Sequence, residues 1–307
     1  MYREKKVCVV VPAYNEELLI SKTIQTLPNF VDQIVVVDDG SADKTVEIVK
    51  TLAEKNPRIL LIRLEKNMGV GAAVRTGYIW CRDNDIDIAV VMNGDNQMDP
   101  DDLPDLLNPI VENRADYTKG NRLVTGEAWH IIPRIRYLGN SVLTFMTKIA
   151  SGYWFVTDSQ SGYTAMNRKA LHILPLENIY HGYGMPNDIL VRCNILDLRV
   201  TDVPVKPIRR KEQHQAPPRH ILDIAAHTTS FFAPHVSEIH HQGFSSAHSV
   251  PHDGSFPDGD QYSAHHPHVC PMVYHRHDTA YQCARHTVLY LHRYAAGTVC
   301  AAFRYGD

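Results

Sequence analysis

Three short apolar runs, each ending in a polar or acidic loop, constrain this chain more than any other feature. Val7–Val11 breaks at Pro12-Ala13-Tyr14-Asn15-Glu16, Ile34–Val37 at Asp38-Asp39-Gly40-Ser41, and Ile88–Met92 at Asn93-Gly94-Asp95-Asn96-Gln97. Short β-branched runs separated by helical patterns read as strands of a parallel sheet, buried on both faces and joined by helical crossovers. Ligands of such sheets gather at the carboxyl ends of the strands. Carboxylates placed there suit a base, a ribose and a metal ion, so a nucleotide diphosphate is the expected ligand.

The punctuation between the runs supports this order. Asn15 is expected to cap a helix over 16–27 that Pro28 ends, and Ser41 to cap a second through about Lys55, before Asn56-Pro57. Ile59–Ile62 reads as a third strand, and Asn67-Met68-Gly69-Val70-Gly71 turns into a helix over 72–82. Asp99-Pro100-Asp101-Asp102 is a helix start with Asp99 as cap and Pro100 at the first position, running to about Asn113. Beyond it, 115–119, 162–166 and 198–205 are expected as strands, and 134–151 and 186–197 as helices. The alternation is that of an α/β fold with a mostly parallel central sheet flanked by helices.

Composition divides the chain near residue 211. Residues 1–211 hold twelve lysines, three histidines and nineteen leucines, whereas residues 212–307 hold no lysine, fifteen histidines and three leucines. Residues 1–210 therefore read as the folded domain, large enough for a substantial buried sheet. Residues 211–307, with His-His-Gln-Gly (240–243) and His-His-Pro-His (265–268), show no sustained 3.6 or 2.0 period. Such a stretch cannot bury enough apolar surface to offset its ordering entropy. Three readings stand: a disordered His-rich tail, a metal-buffering tail, and a shifted reading frame, which is preferred because a frame change replaces lysine and leucine codons wholesale.

A formal charge of −3 excludes the basic footprint of a nucleic-acid binder. Cys8, Cys81 and Cys193 sit in apolar or helical contexts, and the six cysteines show no metal spacing, so reduced, packed thiols of a cytosolic protein are expected. The N-terminus leads straight into a strand, without a signal-peptide pattern, and no run approaches a transmembrane length.

Each motif has a plain reading beside the chemical one. Gly69-Val70-Gly71 follows the third strand and lacks the third glycine of a dinucleotide fingerprint, so close helix–strand packing is the preferred role. Arg75 and the Gly69–Gly71 backbone would still lie near a donor. Asp38-Asp39-Gly40-Ser41 alone is an ordinary turn. In company with the other two loops, an Asp of this pair becomes an acceptor for a uracil or guanine N–H, and its neighbour can hold a ribose hydroxyl. In Asn93–Gln97, Asp95 is the expected ligand of Mg²⁺ or Mn²⁺ and Gln97 a weaker second, because a departing diphosphate gains charge that a divalent ion offsets.

Taken in order, Val-Pro-Ala-Tyr-Asn-Glu (11–16), Val-Asp-Asp-Gly-Ser (37–41), Asn-Met-Gly-Val-Gly-Ala-Ala (67–73), Gly-Asp-Asn-Gln-Met-Asp-Pro (94–100), Lys-Gly-Asn-Arg (119–122) and Gln-Ser-Gly-Tyr (160–163) resemble one family. It is that of inverting GT-A glycosyltransferases of the dolichyl-phosphate mannose synthase and polyprenyl-phosphate glucosyltransferase type. The resemblance spans about Val7 to Ile208 and implies a GT-A fold. It implies a nucleotide site of Pro12, Ala13, Tyr14, Glu16, Asp39, Gly71 and Asn93, and a metal held by Asp95 and Gln97. Arg122 would meet phosphate at the transfer point, with Arg134, Arg136, Asn140 and Ser161 on the acceptor side. Asp158 would orient the Ser-Gly-Tyr segment, and Asp188 falls where many inverting transferases carry a base. One departure is Asn93, where the family often shows the first carboxylate of Asp-x-Asp.

The reaction so implied moves a hexose from a UDP- or GDP-sugar to a polyprenyl phosphate at the cytoplasmic face of a membrane. Trp129, Trp154 and the helix around Leu138–Ala150 would form an apolar track for the lipid, with ordinary packing as the competing role. A transferase acting on a soluble or protein acceptor, and a catalytically weak nucleotide-sugar binding module, remain open at this point. Sequencing of the encoding DNA is expected to reveal, beside the frame of residues 211–307, a neighbouring frame rich in leucine. Its absence would leave the His-rich tail as genuine.

Overall fold

A computed structural model describes residues 1–124, 141, 144, 145, 147, 148 and 151–208. The expected tail at 211–307 and most of the helix expected at 134–151 lie outside the described residues. The elements in chain order are β1 (Val7–Ala13), α1 (Ile20–Gln25), β2 (Gln33–Asp38), α2 (Thr45–Lys55), β3 (Ile59–Arg63), α3 (Val70–Asp83) and β4 (Ile88–Val91). There follow α4 (Leu103–Val111), β5 (Tyr117–Asn121), β6 (Thr164–Asn167), α5 (Arg168–Ile173), α6 (Met185–Ile195) and β7 (Val200–Pro204).

The seven strands form one sheet in the order β3-β2-β1-β4-β6-β5-β7. β1 runs parallel to both β2 and β4, β2 to β3, and β5 to β7; only β6 is antiparallel to its neighbours β4 and β5. Every residue of β1 and of β4 is buried, as expected of strands covered on both faces. Alternation along β1 sorts the core into two layers. Cys8 and Val10 join Val35, Val37, Ala89 and Val91 beneath α3, α5 and α6. Val7, Val9 and Val11 join Ile34, Val36 and Val90 beneath α1, α2 and α4.

The close helix–strand contact expected of the 69–71 glycines is made instead by Gly77. A β-carbon there would stand 2.2 Å from Val10 Cγ1, so α3 lies directly on β1. Cys8, Cys81 and Cys193 are free and buried, in keeping with a packing role, and burial pushes the Cys193 thiol up.

Some element boundaries differ from expectation for an identifiable reason. α1 begins at Ile20, not Glu16, and α2 at Thr45, well after Ser41. The two residues expected as caps are engaged elsewhere: the Asn15 side chain accepts the Ala42 N–H at 2.9 Å, and the Ser41 hydroxyl accepts the Asn15 N–H at 2.9 Å. Asp99 does cap, accepting the Asp101 N–H at 3.0 Å, but its first turn (Pro100–Asp102) is 3₁₀ and leads into α4. α5 was not anticipated, although Asn167 carries its signal: the side chain caps Ala170 N–H at 2.8 Å.

Val10 is β-branched and has no second low-energy rotamer into which to retreat. Gly77→Ala should therefore lower the unfolding free energy by about 1–3 kcal/mol, read from urea denaturation. Unchanged stability would mean that α3 can slide off β1 without loss.

Candidate functional site

The chain leaves β1 for β2 and β3, then returns to place β4 on the other side of β1. This reversal makes a topological switch point at the carboxyl ends of β1 and β4, the place where open α/β sheets bind ligands. The two ends are joined there. Gly94 N–H donates to Pro12 O at 3.1 Å, and Met92 N–H to Val10 O at 3.0 Å. The Thr23 hydroxyl donates to Gly94 O at 3.0 Å from beneath. Pro12 and Ala13 are buried, Tyr14 is 47% exposed and Glu16 is half-buried, so the β1 end offers a closed floor and an open aromatic edge.

The β2 loop is laced to the β1 loop rather than left as a free turn. Besides the Asn15–Ala42 and Ser41–Asn15 bonds, Glu16 N–H donates to Thr45 Oγ1 at 2.8 Å and Glu17 N–H to Asp43 Oδ2 at 3.1 Å. Asp39 is buried, and its two oxygens accept the Met68 and Gly69 N–H groups at 2.7 and 2.9 Å. Asp39 thus draws the 66–69 loop to the rim, a task its sequence position did not disclose. Asp38 is fully buried; Oδ2 accepts the Ser41 N–H at 3.2 Å and lies 3.6 Å from Arg63 Nε. Its Oδ1 has no hydrogen-bond partner among the described residues.

Gly71 is corrected. Its N–H donates to His181 O at 2.7 Å, and a β-carbon there would stand 2.1 Å from Tyr180 O. Gly71 is needed so that the 180–181 backbone can close on α3, and its amide is already taken by that contact. Arg75 serves the same loop, with Nη1 2.7 Å from His181 Nε2 and 3.2 Å from Glu177 O, rather than a donor.

Asp188 is corrected likewise. It is 1% exposed; Oδ2 accepts the Tyr180 N–H at 2.8 Å and Oδ1 accepts Arg192 Nε at 2.7 Å. Arg192 in turn donates to Asn178 O at 2.8 Å. This carboxylate fastens the 178–181 loop to α6.

The β4 loop carries Asp95 and Gln97 on one turn, with Gln97 N–H donating to Asp95 Oδ1 at 3.1 Å and Asn96 at φ +55°. Both Asp95 and Gln97 are half-buried. Asn93 faces the acceptor-side segment: a β-carbon on Gly162 would stand 3.7 Å from its amide atoms. Ser161, expected to touch the acceptor, is 1% exposed and its Oγ accepts the Tyr163 N–H at 3.4 Å.

Arg122 stands at the end of β5 in a fork formed with Asp158. Nε donates to Oδ2 at 2.8 Å, Nη2 to Oδ1 at 3.1 Å, and the Arg122 N–H to Oδ2 at 3.2 Å. Asp158 therefore orients Arg122, not the Ser-Gly-Tyr segment. Burial alone would raise the Asp158 carboxyl, but the Arg122 guanidinium outweighs it and holds the carboxyl below its usual range. Burial disfavours the Arg122 charge, while Asp158, with Asp95 also in electrostatic reach, raises its pKa. Beneath this fork lies Lys119, fully buried, its ammonium donating to Ser161 O. Arg134, Arg136, Asn140 and Trp129 lie outside the described residues.

The chain matches the family model described as "Glycosyl transferase family 2" over residues 8–174. It is 34% identical over 218 residues to a UDP-N-acetylglucosamine–dolichyl-phosphate N-acetylglucosaminyltransferase of Methanococcus voltae, covering 67% of this chain and 86% of that protein. It is 29% identical to an undecaprenyl-phosphate mannosyltransferase of Micrococcus luteus, covering 67% of this chain and 85% of that one. Among solved structures, glucosyl-3-phosphoglycerate synthase of Mycobacterium tuberculosis, in complex with Mn²⁺, UDP and glucosyl-3-phosphoglycerate, superposes with a TM-score of 0.55 at 20% identity. That match covers 73% of this chain and 80% of the synthase, and shows a shared fold.

If Asp188 is a structural fastener, Asp188→Ala should cost about 3 kcal/mol of stability, because Arg192 and the Tyr180 amide lose their buried partner. Thermal and urea unfolding measure this. A variant that keeps its stability but loses turnover would return Asp188 to the chemistry.

Proposed function

Because this chain belongs to glycosyl transferase family 2, we propose that it transfers one hexose from a UDP- or GDP-sugar to a polyprenyl phosphate, with inversion at the anomeric carbon. The observation that carries the acceptor class is the engagement of Asp188. A hydroxyl acceptor needs a base to remove its proton, whereas a phosphate acceptor is already ionised near neutral pH. The carboxylate expected as base is buried against Arg192 and Tyr180. What the site offers instead is a guanidinium held in a fixed fork, suited to orienting a phosphate. The relatives named for dolichyl- and undecaprenyl-phosphate acceptors support the same class.

The nucleotide would lie across the switch point, over Pro12 and Ala13, with Tyr14 and Glu16 at its open edge. Asn93 would stand between donor and sugar, and Asp39 would shape the floor by holding the 66–69 loop. Asp95 and Gln97 fit a divalent ion of the Mg²⁺ or Mn²⁺ kind. Such ions bind through one or two carboxylates and complete their shell with substrate phosphates, so no all-protein cage is required. Among the described residues no group of three or more carboxylate, histidine or cysteine ligands forms such a cage. Bound there, the ion would offset charge gathering on the departing diphosphate. The protein's own part is positioning: Arg122 holds the acceptor phosphate in line, and the Gly162 turn leaves room for the sugar.

A pocket of about 390 Å³ is lined in part by Leu123, Val124, Phe145, Thr144 and Lys148, its first residue following Arg122 in the chain. Its apolar wall and single cation suit the first isoprene units of a lipid whose phosphate reaches Arg122. Trp154 and Phe155, 61% and 52% exposed, would meet the lipid surface from outside. Arg134, Arg136 and Asn140 would add phosphate contacts. No helix among the described residues is long and apolar enough to cross a membrane. The domain would work as a peripheral catalyst on the cytoplasmic face.

Two measurements test this. In a thermal-shift series of UDP- and GDP-sugars with Mn²⁺, the true donor should raise the melting temperature, since ligands that bind only the native state stabilise it. Asp95→Ala should abolish both this Mn²⁺-dependent shift and transfer to undecaprenyl phosphate while the unliganded melt stays near wild type. Full turnover in that variant would remove Asp95 from the metal site.

A further inference from the structure

Lys119 is the charged group that the reading above leaves unused. It lies in the middle of β5 with no exposed surface, although lysine is almost never fully buried unless paired. Its register partner on β7 is Asp202, so the two side chains leave the sheet on one face. Asp202 Oδ2 accepts from the side chain of Asn121 and from the N–H and hydroxyl of Thr157, at 3.0 and 3.1 Å for the latter two. Its buried Oδ1 has no hydrogen-bond partner among the described residues. The ammonium donates to Ser161 O, which begins the Ser161–Gly162–Tyr163 turn opposite Asn93.

Charge makes the arrangement informative. Two cations, Lys119 and Arg122, meet two anions, Asp158 and Asp202, in one cluster, with Asp95, assigned above to the metal ion, also in electrostatic reach of Arg122. Asp158 alone would cancel the Arg122 charge, and Asp202 would leave the pocket negative. The second cation offsets the Asp202 charge, and an anion approaching Arg122 then meets less repulsion from the carboxylates. A packing role would be met at lower cost by leucine or methionine, because burying an ammonium is unfavourable unless its charge is used.

We propose that Lys119 is a positioning residue for an anionic acceptor, holding the Ser161 carbonyl and supplying the charge that keeps Arg122 attractive to phosphate. The inference rests on the phosphate-acceptor reading given above. Burial, with the repulsion of Arg122 acting in the same direction, draws the Lys119 ammonium down to about 8 against the attraction of Asp158 and Asp202. The group therefore loses its charge within an accessible range of pH. The acceptor phosphate, with a second pKa of about 6, is fully ionised there and does not titrate with it.

The test is steady-state transfer by the full chain from UDP-N-acetylglucosamine, UDP-glucose and GDP-mannose to undecaprenyl phosphate in detergent micelles. Lys119→Met should raise the acceptor KM about tenfold or more through the lost charge, with donor KM within about twofold, and Lys119→Arg should restore most of it. Equal acceptor KM in wild type and Lys119→Met would overturn the inference and leave the acceptor reading standing. A wild type that transfers none of these sugars to the lipid phosphate would overturn that reading and this inference with it. If Lys119→Met does not fold, the wild-type pH profile decides: acceptor KM should climb as pH rises through about 8 while donor KM stays level. An acceptor KM that is flat across that range would overturn the assignment.

Discussion

The site depends on one strand being parallel to both of its neighbours. β1 pairs with β2 on one side and β4 on the other, all three ending at the same edge. Parallel strands cannot be joined by tight turns, so each must hand its chain to a loop and a crossover at that edge. Three loops are thereby forced into one place, whatever their sequences. The Gly94–Pro12 hydrogen bond closes the β1 and β4 loops on each other, and the Asn15–Ala42 and Ser41–Asn15 bonds do the same for β1 and β2. A rigid apolar sheet below and cross-linked polar loops above is the combination that holds ligand groups in fixed geometry.

Several carboxylates of this domain hold loops in place. Asp39 clamps Met68 and Gly69, Asp188 clamps Tyr180 and Arg192, and Asp158 clamps Arg122. Each accepts hydrogen bonds from backbone amides or a guanidinium, and losing a buried partner of this kind is costly. On the proposed reading, the chemistry falls to fewer groups: the Asp95–Gln97 turn on the donor side and Arg122 on the acceptor side. In the proposal for Lys119, the balance of charge around Arg122 sets how strongly that arginine attracts an anion.

The alternation of apolar runs and helical patterns was enough to read an α/β sheet with its ligand edge, because burial on both faces leaves an unmistakable β-branched signature at Val7–Val11, Ile34–Val37 and Ile88–Val91. The grouping of Pro12, Asp39 and Asp95 at one edge followed from that, as did the cap at Asp99. Roles carried by individual polar side chains were not legible. Asn15 and Ser41 have the chemistry of helix caps, and nothing local reveals that each will find the other's loop instead. Gly71 and Gly77 are equivalent as residues; only the paths of the 180–181 backbone and of β1 decide which neighbour each admits.

Sequence alone therefore determined the class of fold, the strands and the edge where a ligand would sit, since these rest on hydrophobic periodicity and on residue types within a few positions of one another. Tertiary structure alone decided which carboxylates remain for chemistry. The partners of Asp39, Asp158 and Asp188, and the pairing of buried Lys119 with Asp202 across β5 and β7, join elements distant in the chain or set by local packing. Whether a charged group is spent on structure or kept for a ligand is a matter of three-dimensional neighbourhood, because burial and proximity set its free energy.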